Sequence, residues 1–328
     1  MLELSIACGT TDRLLPLRDG RVRPEGVTLH FTENRGRDIF WRMLRHKDFD
    51  VAEMSLSSYT LAVAAGMRDF VAIPVFPSRL FRHGHIFVNS DAGIESPQDL
   101  KGKAIGTPEY QVTAGVFMRG LLSDEYGVTA EDVQWVTAAE ELIPIDLPPR
   151  IRLRRVESQA VLGRMLETGE IAAMAAISPP EPFLRGAPSV RRLLGNLQQL
   201  EEDYFRRTRI FPIMHTVVVR REIYDRHPWV TRDLYDAFLE AKRVCLQSLR
   251  ALNTLPYTMP FLPHYLEHQR RMFGEDPWPY GVEQNLPTLT AFRRYLTEQG
   301  LVNRAPEIEE LFAANCLSEA DPADRKQA

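Results

Sequence analysis

Cysteine is scarce in this chain of 328 residues, which contains only Cys8, Cys245 and Cys316. The three are odd in number, lie far apart and include no Cys-x-x-Cys pair. This pattern argues against a disulfide framework and against a cysteine zinc site. Free cysteines of this kind are compatible with a reducing compartment.

Neither sign of charge dominates, and long hydrophobic runs are lacking. Lysine and arginine total 40 against 44 for aspartate and glutamate, so the net charge of −4 gives no basic footprint for nucleic acid. The N-terminus reaches the strand-like LELSIAC without the basic and apolar regions of a signal peptide. No apolar stretch approaches the roughly 20 residues that cross a bilayer. We therefore expect a cytoplasmic protein that binds neither nucleic acid nor membrane.

What the sequence does contain is a regular alternation of strand-like and helix-like segments. VTLHFTE is followed by the amphipathic RDIFWRMLRHK, and KAIGT by the helical TAGVFMRGLLSDEYG, which ends at Gly127. SQAVLGRMLETG is a helix that ends at Gly169. A long helix is predicted from about Thr231 to Arg250 by its apolar spacing. Alternation predicts an α/β fold with largely parallel sheets, and the length favours two domains of roughly 150 residues.

The segment FPSRLFRHGHIFV concentrates four cationic or titratable side chains, Arg79, Arg82, His83 and His85, between apolar residues. Cations on a partly buried segment need a partner. Three partners stay open at this point: a structural carboxylate such as Glu53 or Asp50, a metal, or an anionic ligand. If the segment is extended, Arg79, His83 and His85 share one face. A metal on the two histidines would need a third ligand from elsewhere, for example Glu53 or His215.

Other candidate residues lie at the beginnings of predicted helices, where backbone N–H groups and hydroxyls can bind anions. AEMSLSSY contributes Glu53, Ser57 and Ser58, and the ordinary alternative for its serines is a helix N-cap. His215 in FPIMHTVVV follows an apolar run, where a histidine can also be purely structural. The two remaining loops, GTTDR and GTPEYQVT, offer Arg13, Thr107, Tyr110 and Thr113.

Together, AEMSLSSY, FPSRLFRHGHIFV, SPQDLKGKAIGTPEYQVTAGVFMRGLLSDEYGV, FPIMHTVVV and DPWPYGVEQN resemble the 4,5-dihydroxyphthalate decarboxylase family. The resemblance runs from about residue 2 to residue 301. It implies an α/β, two-lobed fold of the type II periplasmic-binding-protein kind, with the ligand cleft between the lobes. Lobe 1 would comprise residues 1–85 and 206–328, and lobe 2 residues 86–205.

The same resemblance implies non-oxidative decarboxylation of a hydroxylated, phthalate-like acid by ring-carbon protonation and loss of carbon dioxide, as in phthalate degradation. Arg79 and Arg82 would bind a carboxylate, while His83, His85 or His215, with Glu53, would move protons. No organic cofactor is expected, a divalent metal stays open, and so does a homo-oligomer. The alternative function is that of a non-catalytic protein that binds an aromatic acid or a cofactor precursor.

Overall fold

The computed structural model describes residues 1–32, 36–250, 254–255 and 257–317. Its strands are β1 (Leu2–Ala7), β2 (Val27–Thr32), β3 (Val51–Ser55), β4 (Phe70–Ile73), β5 (Ile86–Asn89), β6 (Ala104–Thr107), β7 (Gln134–Thr137), β8 (Arg152–Arg155), β9 (Ala173–Ala175), β10 (Val190–Arg192) and β11 (His215–Arg220). Its helices are α1 (Leu15–Arg18), α2 (Arg37–His46), α3 (Leu56–Ala64), α4 (Thr113–Tyr126), α5 (Gln159–Thr168), α6 (Glu181–Leu184), α7 (Leu197–Thr208), α8 (Arg221–Arg226), α9 (Trp229–Arg250), α10 (Leu262–Phe273), α11 (Leu286–Glu298) and α12 (Ile308–Leu311).

Two sheets form the cores of two lobes. The first sheet has the order β2-β1-β3-β11-β4, and the second has the order β10-β5-β9-β6-β7-β8. Strands β2, β1 and β3 of the first sheet and β9, β6, β7 and β8 of the second pair in parallel, while β11 runs antiparallel to β3 and β4, and β5 runs antiparallel to β9 and β10. The carboxyl ends of the parallel strands in each lobe therefore form one edge, which is where α/β folds place ligands.

The chain passes between the sheets twice, once between β4 and β5 and once between β10 and β11. The two passages pair with each other: the Leu80 N–H donates to the Pro212 carbonyl (3.2 Å), and the Met214 N–H donates to the Ser78 carbonyl (2.8 Å). The predicted lobe limits stay a prediction. Their second boundary, at residues 205 and 206, falls inside α7, and residues 318–328 of lobe 1 lie outside the described part.

Glycine ends several helices as the sequence predicts. Gly127 follows α4 with a φ of 65°, and Gly169 follows α5 with a φ of 80°, a left-handed conformation that glycine adopts at no steric cost. The predicted long helix is present as α9. In the described ranges no helix is long and apolar enough to cross a membrane.

Helix α11 adds a third tie between the lobes. It follows the long C-terminal region of lobe 1 but packs on α4, with the Phe117 and Phe292 rings stacked at 5.6 Å. The ring of Tyr295 lies directly over Gly120, where any larger residue would collide with it. A buried network extends this contact, because the Arg119 guanidinium donates to the Gln299 side-chain oxygen (2.7 Å). The lobes are thus joined by packing as well as by the two chain passages.

Candidate active site

A buried carboxylate and a histidine meet at the ligand edge of the first sheet. His215 opens β11 and lies opposite Ser55 of β3, so Glu53 is its diagonal neighbour on the same face. Their side chains form a hydrogen bond of 2.5 Å between His215 Nδ1 and Glu53 Oε1. The second Glu53 oxygen accepts the Gly9 N–H (2.8 Å) from the end of β1. The sequence predicts both residues as catalytic, and the fold brings them into contact.

The surroundings of Glu53 keep it ionised. Burial by itself raises the pKa of this carboxyl, but the hydrogen bond and charge of His215, the Gly9 N–H and the charge of Arg13 together lower its pKa. An ionised Glu53 accepts the hydrogen on Nδ1 of His215. The histidine side chain is 24% exposed, and its Nε2 is the nitrogen available for proton exchange.

Arg82 lies on the first chain passage, contacts Met214, the residue before His215, and has few hydrogen-bond partners. Its guanidinium donates to the Ile177 carbonyl (3.1 Å) and contacts the Met214 sulfur (2.8 Å), while its buried Nε has no hydrogen-bond partner. Burial lowers the pKa of Arg82 to about 10, so the group remains charged at neutral pH. No carboxylate of the described residues forms an ion pair with it, which leaves a buried cation ready for an anion.

Arg79, by contrast, is occupied by the protein itself. Its guanidinium donates to the carbonyls of Phe211 (3.2 Å) and Pro279 (2.7 Å) and to the side-chain oxygen of Asn285. Burial lowers the pKa of Arg79 to about 9. Its contacts join the first passage to the C-terminal region. Its buried Nε, like that of Arg82, has no hydrogen-bond partner, and a ligand role for Arg79 stays a prediction. The carboxylate partners considered for Arg79 and Arg82, Glu53 and Asp50, bind other groups.

The two histidines of the segment point to different places, because residues His83–His85 form a 3₁₀ turn rather than an extended strand. His85 lies beside Arg82, and burial, followed by the charge of Arg82, lowers its pKa to about 4. Its buried Nδ1 has no hydrogen-bond partner. His83 packs edge-on against Tyr204 of α7 (5.1 Å) and lies 3.9 Å from Glu201. Only His85 therefore stays at the ligand edge of the second sheet.

Hydroxyl groups close the gap between the lobes next to Glu53. Ser55 caps α3, and its Oγ lies 2.9 Å from Thr113 Oγ1 of α4. The Ser57 N–H donates to the same threonine (3.0 Å), while the buried Ser57 Oγ has no partner. Ser58 is buried and its N–H donates to the Ser55 cap (3.4 Å). Of these, Ser57 is the one with a free polar group for a ligand, and Ser55 confirms the N-cap interpretation.

The side chains of the remaining predicted ligand contacts take part in core packing or in local turns. Tyr110 is fully buried, and its hydroxyl donates to the Gln299 carbonyl (2.9 Å). The buried hydroxyl of Thr107 donates weakly to the Glu109 carbonyl (3.4 Å). Arg13 pairs with Asp12 (2.7 Å) and stacks on the Trp278 ring at 3.9 Å. Ligand roles for Tyr110, Thr107 and Arg13 find no support in these contacts and stay predictions.

Two side chains of this region, Arg37 and Glu141, were not predicted from the sequence. Arg37 on α2 donates to the buried carboxylate of Glu109 in lobe 2 (2.5 Å) and to the Glu140 carbonyl (2.9 Å). The Glu141 carboxylate accepts the N–H groups of Tyr110 (2.6 Å) and Gln111. No local sequence pattern marks such pairs, because their partners lie 30 or more residues away along the chain.

A cavity of about 600 Å³ opens at the ligand edge of the second sheet. It lies where β6 and β9 end, between Pro108, Ile177 and the start of α5, and its polar lining includes Gln159, Arg164 and Ser178. A larger groove of about 1000 Å³ runs along α9, and neither cavity has Glu53, His215 or Arg82 among its lining residues. Within the described ranges no cluster of three or more histidine, cysteine or acidic residues is arranged to hold a metal ion.

Comparison with known proteins gives a match along nearly the whole chain. The protein is 40% identical over 317 residues to 4,5-dihydroxyphthalate decarboxylase of Comamonas testosteroni, covering 95% of this chain and 96% of the relative. The chain belongs to the 4,5-dihydroxyphthalate decarboxylase family. A protein of the same name from Pseudomonas putida is 42% identical over 211 residues, covering 62% of this chain and 82% of the relative. The family predicted from the sequence motifs is thereby confirmed.

Solved structures and a family model identify the fold. Residues 26–141 match the model described as ABC transporter, phosphonate, periplasmic substrate-binding protein. The periplasmic aliphatic sulphonate binding protein SsuA of Escherichia coli superimposes with a TM-score of 0.56 at 18% identity, covering 97% of this chain and 99% of that one. A putative periplasmic sulfonate-binding protein of Methylobacillus flagellatus gives 0.54 at 13%, covering 95% and 91%. The predicted two-lobed binding-protein fold is confirmed, and at these identities the likeness concerns the fold alone.

Proposed function

We propose that this protein is a carboxy-lyase that removes one carboxylate of a dihydroxyphthalate as carbon dioxide. The observation that carries the proposal is the arrangement of Glu53, His215 and Arg82. A carboxylate–histidine pair lies where the second chain passage enters β11, and a buried, incompletely paired arginine lies on the first passage, which is hydrogen-bonded to the second. Family membership at 40% identity supports the same activity and substrate class.

Decarboxylation of an electron-rich aromatic acid needs a proton delivered to the ring carbon that carries the leaving carboxylate. We assign this proton to Nε2 of His215 in its imidazolium form; after the transfer His215 is the neutral Nδ1–H tautomer, whose remaining hydrogen Glu53 accepts, and solvent returns the proton to Nε2 after turnover. The new carbon–hydrogen bond forms from two ring π electrons and gives a dearomatised intermediate. The bond to the carboxylate then breaks, its electron pair restores the ring, and carbon dioxide leaves. Glu53 does not itself change protonation; it keeps the His215 ring in one tautomer and orientation.

The other residues bind and polarise the substrate. Arg82 offers its free Nε, and a guanidinium holds a carboxylate through charge-assisted hydrogen bonds. His85, neutral above about pH 4, presents a free Nδ1 to which a ring hydroxyl can donate. Ser57 supplies a further free hydroxyl. A metal ion or organic cofactor has no assigned part in these steps.

The experiment is turnover of the purified protein with 4,5-dihydroxyphthalate and a panel of related ortho-dicarboxylated phenols. We expect release of carbon dioxide and a dihydroxybenzoate that, in deuterium oxide, carries one deuterium at the carbon that lost its carboxylate. His215→Asn should abolish turnover while leaving measurable substrate binding. Tight binding without turnover by the wild type across the whole panel would replace this proposal with the second candidate, a non-catalytic aromatic-acid binding protein, which the binding-protein fold favours.

We also propose a cytoplasmic location. The three cysteines, all inside the described ranges, are buried and unpaired, as expected of a protein kept in a reducing compartment. Fractionation of cells that express the full-length gene with a C-terminal tag checks this, and recovery of the tagged protein from the periplasm would contradict it.

A further inference from the structure

An ion pair joins the ligand edges of the two lobes, at the entrance (the mouth) of the cleft between them. Arg37 begins α2 in lobe 1, and Glu109 lies in the loop after β6 in lobe 2. The guanidinium donates to the Glu109 carboxylate (2.5 Å) and, through its other arm, to the Glu140 carbonyl (2.9 Å). Arg37 therefore donates hydrogen bonds to two neighbouring loops of lobe 2, those of Glu109 and Glu140.

The acidic partner of this pair, Glu109, is buried, so loss of its cation would cost more free energy than at an exposed ion pair. The Glu109 side chain is only 6% exposed, whereas that of Arg37 is 48% exposed. Burial, assisted by the neighbouring Glu141, raises the pKa of Glu109, while the hydrogen bond and charge of Arg37 oppose this rise. Without Arg37, the buried Glu109 carboxylate would lose its cation, and the contact between lobe 2 and α2 would be destabilised.

Helix α2 carries a second contact, which leads to the catalytic pair. Phe40 lies three residues after Arg37, so the two side chains project from the same side of the helix. The buried Phe40 ring packs edge-on against the His215 imidazole, with centroids 4.9 Å apart and an interplanar angle of 73°. The His215 ring is therefore held by Glu53 through a hydrogen bond and by Phe40 through packing.

We infer that Arg37 and Glu109 are positioning residues of the reaction. When the lobes close, Arg37 and Glu109 form their ion pair, and this pair fixes the position of α2. Helix α2 then holds Phe40 against the His215 ring, so that Nε2 of His215 is directed at the substrate only when the cleft is closed. The inference rests on the proposed function for its kinetic part. Its structural part, that Arg37 holds the lobes together at the cleft mouth, stands apart from any activity.

The test uses the full-length protein and five variants: Arg37→Met, Arg37→Lys, Glu109→Gln, Phe40→Leu and the control Arg45→Met. Arg45 lies on the same helix but is exposed. We expect Arg37→Met and Glu109→Gln to lower kcat about 10- to 100-fold, the scale of a small misplacement of a reacting group. KM should change much less, because neither residue contacts the substrate. Arg37→Lys should recover part of kcat, and Arg45→Met should match the wild type.

Small-angle X-ray scattering without substrate separates the two parts of the inference. Arg37→Met should increase the radius of gyration, whereas Phe40→Leu should lower kcat without opening the lobes. A wild-type kcat in Arg37→Met, or an equal loss in Arg45→Met, overturns the positioning role. An unchanged radius of gyration overturns the part played by the pair in closure. If the wild type turns over no substrate, the proposed function fails, and the scattering result still decides whether Arg37 holds the lobes.

Discussion

Gly120 offers a direct test of the tie between α11 and α4. A Cβ atom at this position would lie 2.5 Å from Cδ2 and Cζ of the Tyr295 ring, closer than any ordinary contact. The ring has little freedom to move, because it is fully buried and its hydroxyl donates to Asp124 (2.6 Å). Gly120→Ala must therefore push α11 away from α4 or distort the ring.

The magnitude follows from two opposing terms. Overpacking a rigid core site costs up to about 3 kcal/mol. Alanine is about 1 kcal/mol better than glycine inside a helix, which leaves a net loss of about 2 kcal/mol in the free energy of unfolding. Gly163 in α5 is the matched control, because a Cβ there meets Pro182 at an ordinary 3.5 Å. Gly163→Ala should be as stable as the wild type or more stable.

Urea denaturation followed by circular dichroism measures both variants, and a Tyr295→Ala background completes a double-mutant cycle. With the ring removed, Gly120→Ala should lose most of its cost. Equal unfolding free energies for Gly120→Ala and Gly163→Ala in the wild-type background would refute the reasoning, since they would mean that the α4–α11 contact yields freely and does not tie the lobes.

Three further predictions follow from the site. Glu53→Gln should reduce kcat roughly a hundredfold or more, because His215 loses the acceptor that fixes its tautomer, and steady-state kinetics would contradict this with an unchanged kcat. Arg82→Met should raise KM about 10- to 100-fold. Arg79→Met should instead lower the unfolding free energy by about 2–3 kcal/mol, because it leaves carbonyls without hydrogen-bond donors. If kinetics and denaturation show the KM effect for Arg79→Met and the stability effect for Arg82→Met, the two assignments are reversed. Folding lowers the pKa of His83 from 6.5 to about 4. Between these two pH values the unfolded chain binds more protons at His83 than the folded protein does, so the free energy of unfolding should rise with pH over this range. Because His85 has the same pKa of about 4, His83→Phe should remove only part of that rise in urea titrations, and an unaltered slope would exclude a contribution from His83.

Local patterns in the sequence were sufficient for the elements and for the family. The endings of α4 and α5 follow from Gly127 and Gly169, because the left-handed conformation after a helix favours glycine. The last four residues of the run RIRLRR form the exposed edge strand β8, where charged side chains are common. Periodicity did not reveal this strand, since all its residues are exposed.

The division of labour within the site could not be predicted in the same way. Arg79 and Arg82 look alike in the sequence, and so do His83 and His85. Their difference arises from the 3₁₀ turn at His83–His85 and from partners such as Asn285 and Tyr204, which come from more than 100 residues away. The Arg37–Glu109 pair was missed for the same reason. Sequence patterns identify which residue types are concentrated in a segment, whereas the tertiary fold decides which of them remain free.

That difference also determines how the substrate must lie. The carboxylate that leaves loses its charge in the transition state, so a cation that held it firmly would stabilise the ground state and slow the reaction. Arg82, whose guanidinium makes fewer hydrogen bonds to the protein than that of Arg79, is therefore expected to hold the carboxylate that stays. In a phthalate the leaving carboxylate is on the neighbouring ring carbon, and in the proposed reaction this carbon must face Nε2 of His215. Substrates with the second carboxylate in the para position place a different carbon there, so they should be turned over poorly even where they bind.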